Sequence, residues 1–259
     1  MPRFNQLEFD AAPGDERELG PAPSEASRDD REWLGKADAD RRRGHYENAL
    51  RYYSRALELD RSLVAGWVGQ VQMLIMLGEY PEAELWAGKA LELFRNQPDL
   101  LAGRAQALLR IGDRTRAAEM IDGALRQEGT SAYRWIVRGE MLVAARDDVD
   151  AHCFDKAVQA DRDWLVPLEI ALIYLEYDKP SKGLLRARQA AEASPASFYP
   201  WLIQARCELA LGFDRQARQS LARCLDLSPR NVEASRLLEG LSEGGWSIGR
   251  GLRRLFGGR

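Results

Sequence analysis

The sequence predicts an all-α fold: a solenoid of about six stacked helix–turn–helix repeats closed by one terminal helix. Three observations carry this. Trp33, Trp67, Leu101 and Trp135 recur at a spacing of 34 residues, each opening an apolar run. Gly44, Gly78 and Gly112 keep the same spacing, as do Ala49, Ala83 and Ala117, and Ala56, Ala90 and Ala124, with Leu57, Leu91 and Leu125 directly after the last set. Finally, NVEASRLLEGL follows the last repeat and reads as one more helix, the cover that an exposed solenoid end needs.

Each position has a physical role. The aromatic residue anchors the start of the first helix. The glycine stops that helix and supplies the left-handed residue of the turn. In the second helix, Ala49 permits close approach, and Tyr53 and Ala56 follow on the same face. One unit has too little core, so stacking buries the leftover apolar face.

The units read as 30–63, 64–97, 98–131, 132–163, 164–197 and 198–231. The register slips in the fourth and fifth, where the second-helix alanine arrives one residue early at Ala157 and Ala190, then continues at Cys224. In the fourth unit Asp150 occupies the small-residue position and the second helix is a residue short. The fifth places Pro167 in its first helix and Pro180 near the start of its second, both tolerable within a first helical turn. The sixth regains the marks with Trp201, Gly212, Ala217, Leu225 and Pro229. The expected organisation is an acidic, disordered tail over 1–29, the solenoid with its capping helix over 30–241, and a basic amphipathic tail over 242–259.

The run of tryptophan, glycine and paired alanines, W-x-x-x-[AGV]…G-x-[YR]-x-x-A-x-x-x-[YAI]-x-x-A-L, resembles the tetratricopeptide signature across about 200 residues. That resemblance implies a right-handed superhelix whose first helices line a concave, protein-binding face. Carried over by position, the lining is Leu34, Asp38 and Arg41; then Val68, Gln72, Ile75 and Met76; then Ala102, Gln106, Leu109 and Arg110. It continues with Tyr133, Ile136, Glu140 and Val143; Leu168, Leu172 and Leu175; and Tyr199, Leu202, Arg206 and Leu209. Members that grip acidic chaperone tails use a lysine and asparagine clamp; Leu34 and Asp38 at its first two positions argue against that ligand. Units two, four, five and six present apolar linings, so an amphipathic helix or an extended apolar segment is expected, with Tyr133, Met76, Leu172 and Tyr199 as anchors.

Catalysis is not expected. His45 and His152 lie about three repeats apart, and the sequence contains no H-E-x-x-H, paired C-x-x-C, G-x-S-x-G or phosphate-binding glycine loop. His152 and Cys153 are adjacent, so on a helix they diverge by about 100° and read as a surface histidine beside a buried thiol. Cys207 and Cys224 read as small buried hydrophobes. Arg41, Arg42 and Arg43 read as positive charge complementing a helix C-terminus. No cofactor and no metal are expected. The net charge of -3 disfavours nucleic acid as a partner.

The expected function is therefore a cytoplasmic, non-enzymatic adaptor or scaffold that binds another protein and takes no small-molecule substrate. The tails leave two alternatives open. Phe4, Leu7 and Phe9 form an apolar island near the N-terminus, and Trp246, Leu252, Leu255 and Phe256 lie among the arginines of the C-terminal segment. The C-terminal group suits weak membrane-surface contact, as in a peripheral assembly factor, or docking on a protein or into the chain's own groove. A regulatory subunit of an enzyme complex is the other alternative.

Overall fold

A computed structural model describes residues 26–242. Among them are thirteen helices and no strand: α1 Ala26–Arg41, α2 Tyr46–Leu59, α3 Val64–Met76, α4 Tyr80–Leu93, α5 Pro98–Ile111, α6 Arg114–Arg126 and α7 Ala132–Ala145. The order continues with α8 Asp150–Ala160, α9 Leu165–Glu176, α10 Pro180–Ala193, α11 Phe198–Ala210, α12 Asp214–Leu227 and α13 Val232–Ser242. The first twelve form six antiparallel pairs. The odd helices α1, α3, α5, α7, α9 and α11 also touch one another in succession, so they form the inner layer. The all-α repeat solenoid read from the sequence is the fold observed. Helix α1 begins at Ala26, ahead of the expected solenoid start.

Every pair turns in the same way. The amide five residues beyond a first-helix carbonyl closes the turn: His45 to Asp40, Glu79 to Leu74, Asp113 to Leu108, Asp147 to Leu142, Lys179 to Tyr174 and Phe213 to Glu208. This bond belongs to the glycine-terminated helix end and requires a left-handed residue just before the donor. Gly44, Gly78, Gly112 and Gly212 supply it with φ of 73°, 81°, 103° and 74°. In the fourth and fifth pairs Arg146 and Asp178 take the conformation instead, at φ 58° and 54°. Glycine spacing fades there, yet the turn persists, because the stacked helices impose it.

The small-residue positions are fully buried at Ala49, Ala83, Ala117 and Ala217. Asp150 stands in that row and is 2 % exposed. Burying a carboxylate is costly unless it is bonded. Here the Tyr174 hydroxyl donates to Oδ2 and the Lys182 ammonium lies 2.8 Å from Oδ1. Tyr174 belongs to the next pair, so the odd residue ties two units together. Its phenol is pushed well above its ordinary range, by burial first and by the Asp150 carboxylate second. Helix α8 has 11 residues against 14 in α2 and α10, in keeping with the shortened unit.

Pro167 is the third residue of α9 and Pro180 the first of α10, where no intrahelical amide bond is lost. Helix α13 buries Ala234, Leu237 and Leu241 in the cluster that also holds Leu221 and Cys224 of α12, so it covers the end of the stack.

Candidate functional site

On the inner layer, Asp38, Gln72, Gln106 and Glu140 occupy one register on α1, α3, α5 and α7. Glu140 is 0 % exposed. Its carboxylate accepts from Gln106 Nε2 at 2.6 Å, from Tyr177 Oη at 3.2 Å and from Arg110 Nε. Gln106 in turn accepts from the Tyr133 hydroxyl at 2.7 Å, and Arg110 lies 2.9 Å from Glu176. The Tyr177 phenol is raised by burial and by the Glu140 charge beside it. Gln72 is the exception in this ladder. It is 7 % exposed, and its side-chain oxygen has no hydrogen-bond partner.

The first pair reaches across the inner face to the fifth and sixth. Arg41 donates to Glu169, with Nε at 3.1 Å. Arg42 grips Asp163 with both guanidinium ends, at 2.9 and 2.6 Å. The Tyr46 and Tyr199 hydroxyls share a hydrogen bond of 2.7 Å. The Tyr199 ring also lies over Gly44, where an added Cβ would fall 2.6 Å from it. Glycine is thus needed at that turn for close approach as well as for φ. The arginine run read as helix-end charge acts, at Arg41 and Arg42, as a clasp between distant units; spacing along the chain could not show this.

The clasp divides the concave face into two hollows. The smaller, about 340 Å³, is lined by Gln72, Ile75, Met76, Gln106, Tyr133, Ile136, Leu172, Leu175 and Tyr199, with Arg110 and Arg206. The larger, about 620 Å³, is lined by Leu34, Asp38, Arg41, Val68, Gln72, Tyr133 and Ile136 together with Asp99, Asp161, Asp163 and Glu169. Gln72, Tyr133, Ile136 and Glu169 line both and form the wall between them.

Seven expected lining residues line neither hollow. Ala102, Leu109, Val143, Leu168, Leu202 and Leu209 are buried in core clusters, and Glu140 is held by the three donors just described. Close packing of neighbouring first helices draws these side chains between units. Residues the sequence reading passed over are Tyr46, Tyr80, Glu169 and Glu176 in the smaller hollow and Asp99, Asp161 and Asp163 in the larger. Tyr46 and Tyr80 carried a signal, since each stands two residues after a turn glycine in the repeat register. The acidic residues carried none.

Phe4, Leu7, Phe9, Trp246, Leu252, Leu255 and Phe256 lie outside the described residues. His152 is exposed and Cys153 buried. Burial raises the Cys153 thiol and pushes Cys207 up to about 12 and Cys224 up to about 11. Among the described residues no helix is long and apolar enough to cross a membrane.

Six paired helices, an inner layer of first helices and a capping helix define the class: an all-α helical-repeat solenoid. The particular fold is that of tetratricopeptide-repeat proteins. A tetratricopeptide repeat protein from Parabacteroides merdae matches with a TM-score of 0.52 at 16% identity, over 83% of this chain and 84% of that one. The Cut9–Hcn1 hetero-tetramer of the APC/C matches at 0.51 and 16% identity, over 83% of this chain and 43% of that one. A monomeric mutant of IFIT1 with Gppp-AAAA matches at 0.54 and 16% identity, over 76% of this chain and 55% of that one. No protein-family model and no curated protein matches the sequence.

Proposed function

We propose that this chain is a non-enzymatic adaptor that holds a segment of a partner protein against its inner face, with apolar side chains entering the smaller hollow. The observation that carries the reading is the lining of that hollow: Ile75, Met76, Leu172 and Leu175 beside the rings of Tyr133 and Tyr199, in a space of about 340 Å³. Apolar, aromatic-walled pockets with a few polar groups, upward of about 300 Å³, are those that bury ligands. The clasp narrows the choice of ligand. An α-helix is about 10–12 Å across, too wide for a face split by side chains, so an extended segment with one or two large apolar residues fits better.

The relatives of like fold offer two precedents, a protein assembly in Cut9–Hcn1 and a capped oligonucleotide in IFIT1. The net charge of -3 and the carboxylates on the inner face favour the protein ligand, since phosphates call for excess cations. A membrane-anchored assembly factor would depend on residues 242–259, and vesicle co-sedimentation with and without them separates that alternative.

The test is partner capture from native lysate by the full-length chain beside a Met76→Glu/Leu172→Glu variant. Both side chains are half-buried, so the helices tolerate the change. Capture should fall at least tenfold while the helical circular dichroism stays intact. Capture undiminished in the variant refutes a binding site in the hollow.

A further inference from the structure

The larger hollow differs in chemistry from the smaller. Five carboxylates line it, from Asp38, Asp99, Asp161, Asp163 and Glu169, against the two guanidinium groups of Arg41 and Arg42. Those two are committed to Glu169 and Asp163. Asp99 is compensated by Arg134, 3.6 Å away, and accepts from Ser131. Asp38 accepts from the Tyr53 hydroxyl and lies in the field of Arg42, already committed to Asp163, and among the described residues neither Asp38 nor Asp161 is in an ion pair. The second feature is independent of charge: the Gln72 side-chain oxygen, buried in the wall between the hollows, lacks a donor. An arginine answers both needs. Its planar guanidinium offers five N–H donors to carboxylate and amide oxygens, and its face stacks on rings such as that of Tyr133, which also lines the hollow.

We propose that the occupant is this chain's own segment 250–256, with Arg253 or Arg254 in the larger hollow and Leu252, Leu255 and Phe256 against Val68 and Ile136. The charges are complementary: 243–259 contains Arg250, Arg253, Arg254 and Arg259 against the single acid Glu243. The reach is sufficient. Helix α13 packs on α12, α12 on α11, and α11 touches α9, whose Val166 and Glu169 line the hollow. Three such steps of about 8–10 Å each amount to about 30 Å, and the eleven residues from 242 to 253 span up to about 36–40 Å. Docking there also covers Tyr133 and Ile136 of the shared wall, so the segment competes with a partner; this last consequence rests on the adaptor reading, while the docking itself does not.

The experiment uses the full-length chain alone, with Phe256, and separately Leu252, replaced by the photoreactive p-benzoylphenylalanine. Irradiation followed by mass spectrometry should give crosslinks within one chain to peptides of α1, α3, α7 and α9, which line the larger hollow. Asp38→Asn with Asp161→Asn should lower their yield about fivefold, as expected for losing exposed ion contacts. Arg253→Glu/Arg254→Glu should abolish them, with circular dichroism unchanged. Crosslinks that join two chains, fall elsewhere on the solenoid, fail to form, or persist in the charge variants overturn the proposal. Partner capture is read in a separate assay, so either idea can fail without the other.

Discussion

Arg41 and Glu169 stand 128 residues apart in the chain and meet in an ion pair across the inner face of the solenoid. Each side chain is about one-fifth exposed, 18% and 20%, so the pair is shielded from solvent without being sealed off. It joins the first repeat to the fifth, and with Arg42–Asp163 and Tyr46–Tyr199 it divides the concave face into two hollows, both open to solvent.

Removing one partner should loosen that closure. Arg41→Ala leaves Glu169 without its cation and should cost about 1–2 kcal/mol in urea unfolding, the range for a partly buried group left unsatisfied. Small-angle scattering should show a larger radius of gyration than in the parent. An unchanged radius would mean that Arg42 and Tyr199 hold the closure alone.

The second ion pair makes the clasp sensitive to acid. The Arg42 hydrogen bond, first among the causes, holds the Asp163 carboxyl below its ordinary value. A depressed folded-state pKa contributes stability above the unfolded value, about 3.9 for an aspartate, and loses it as pH falls through the folded value. Asp163→Asn should therefore be destabilised relative to the parent at pH 7, and the difference should shrink as pH falls below the unfolded value and through the folded one. A difference that persists in acid would show that the carboxylate charge contributes nothing to the pair.

The left-handed residues predict a gain. Arg146 and Asp178 are exposed and occupy the conformation that glycine adopts in the other four units. Arg146→Gly and Asp178→Gly should each stabilise by about 0.5–1 kcal/mol, because the Cβ penalty of about 1–2 kcal/mol outweighs the added freedom of the unfolded chain. Denaturant midpoints measure this. Destabilisation in both variants would mean that the side chains make contacts worth more than the strain.

Asp150 offers a double-mutant cycle. Asp150→Ala restores the small residue of the repeat but strands the Tyr174 hydroxyl and should cost about 1–3 kcal/mol. Adding Tyr174→Phe removes the stranded group and should recover about 1 kcal/mol or more. Additive effects of the two substitutions would dismiss the hydrogen bond between them as a source of coupling.

The repeat was legible where a position has one physical solution. Only a small side chain fits at Ala49 and Ala117, glycine suits the left-handed turn, and an apolar terminal helix must cover the last unit. These marks placed the helices, and the family resemblance they carry implied the inner layer. Legibility failed where two solutions exist. A buried acid with two partners can stand in for alanine, as at Asp150, and a strained Arg146 can stand in for glycine. Leu109, Leu168 and Leu202 share the register of lining residues, yet they point between units.

What the sequence by itself determined is thus the local architecture: thirteen helices paired six times and capped, because helix period, turn chemistry and small-residue contacts all act over one repeat or less. The closure of the inner face, the two hollows and the buried Gln72 side-chain oxygen without a donor were decided only by the tertiary structure. Curvature accumulates from small rotations at each stacking step. Whether the first unit arrives within reach of the fifth is a property of the sum, and no single spacing in the chain records it.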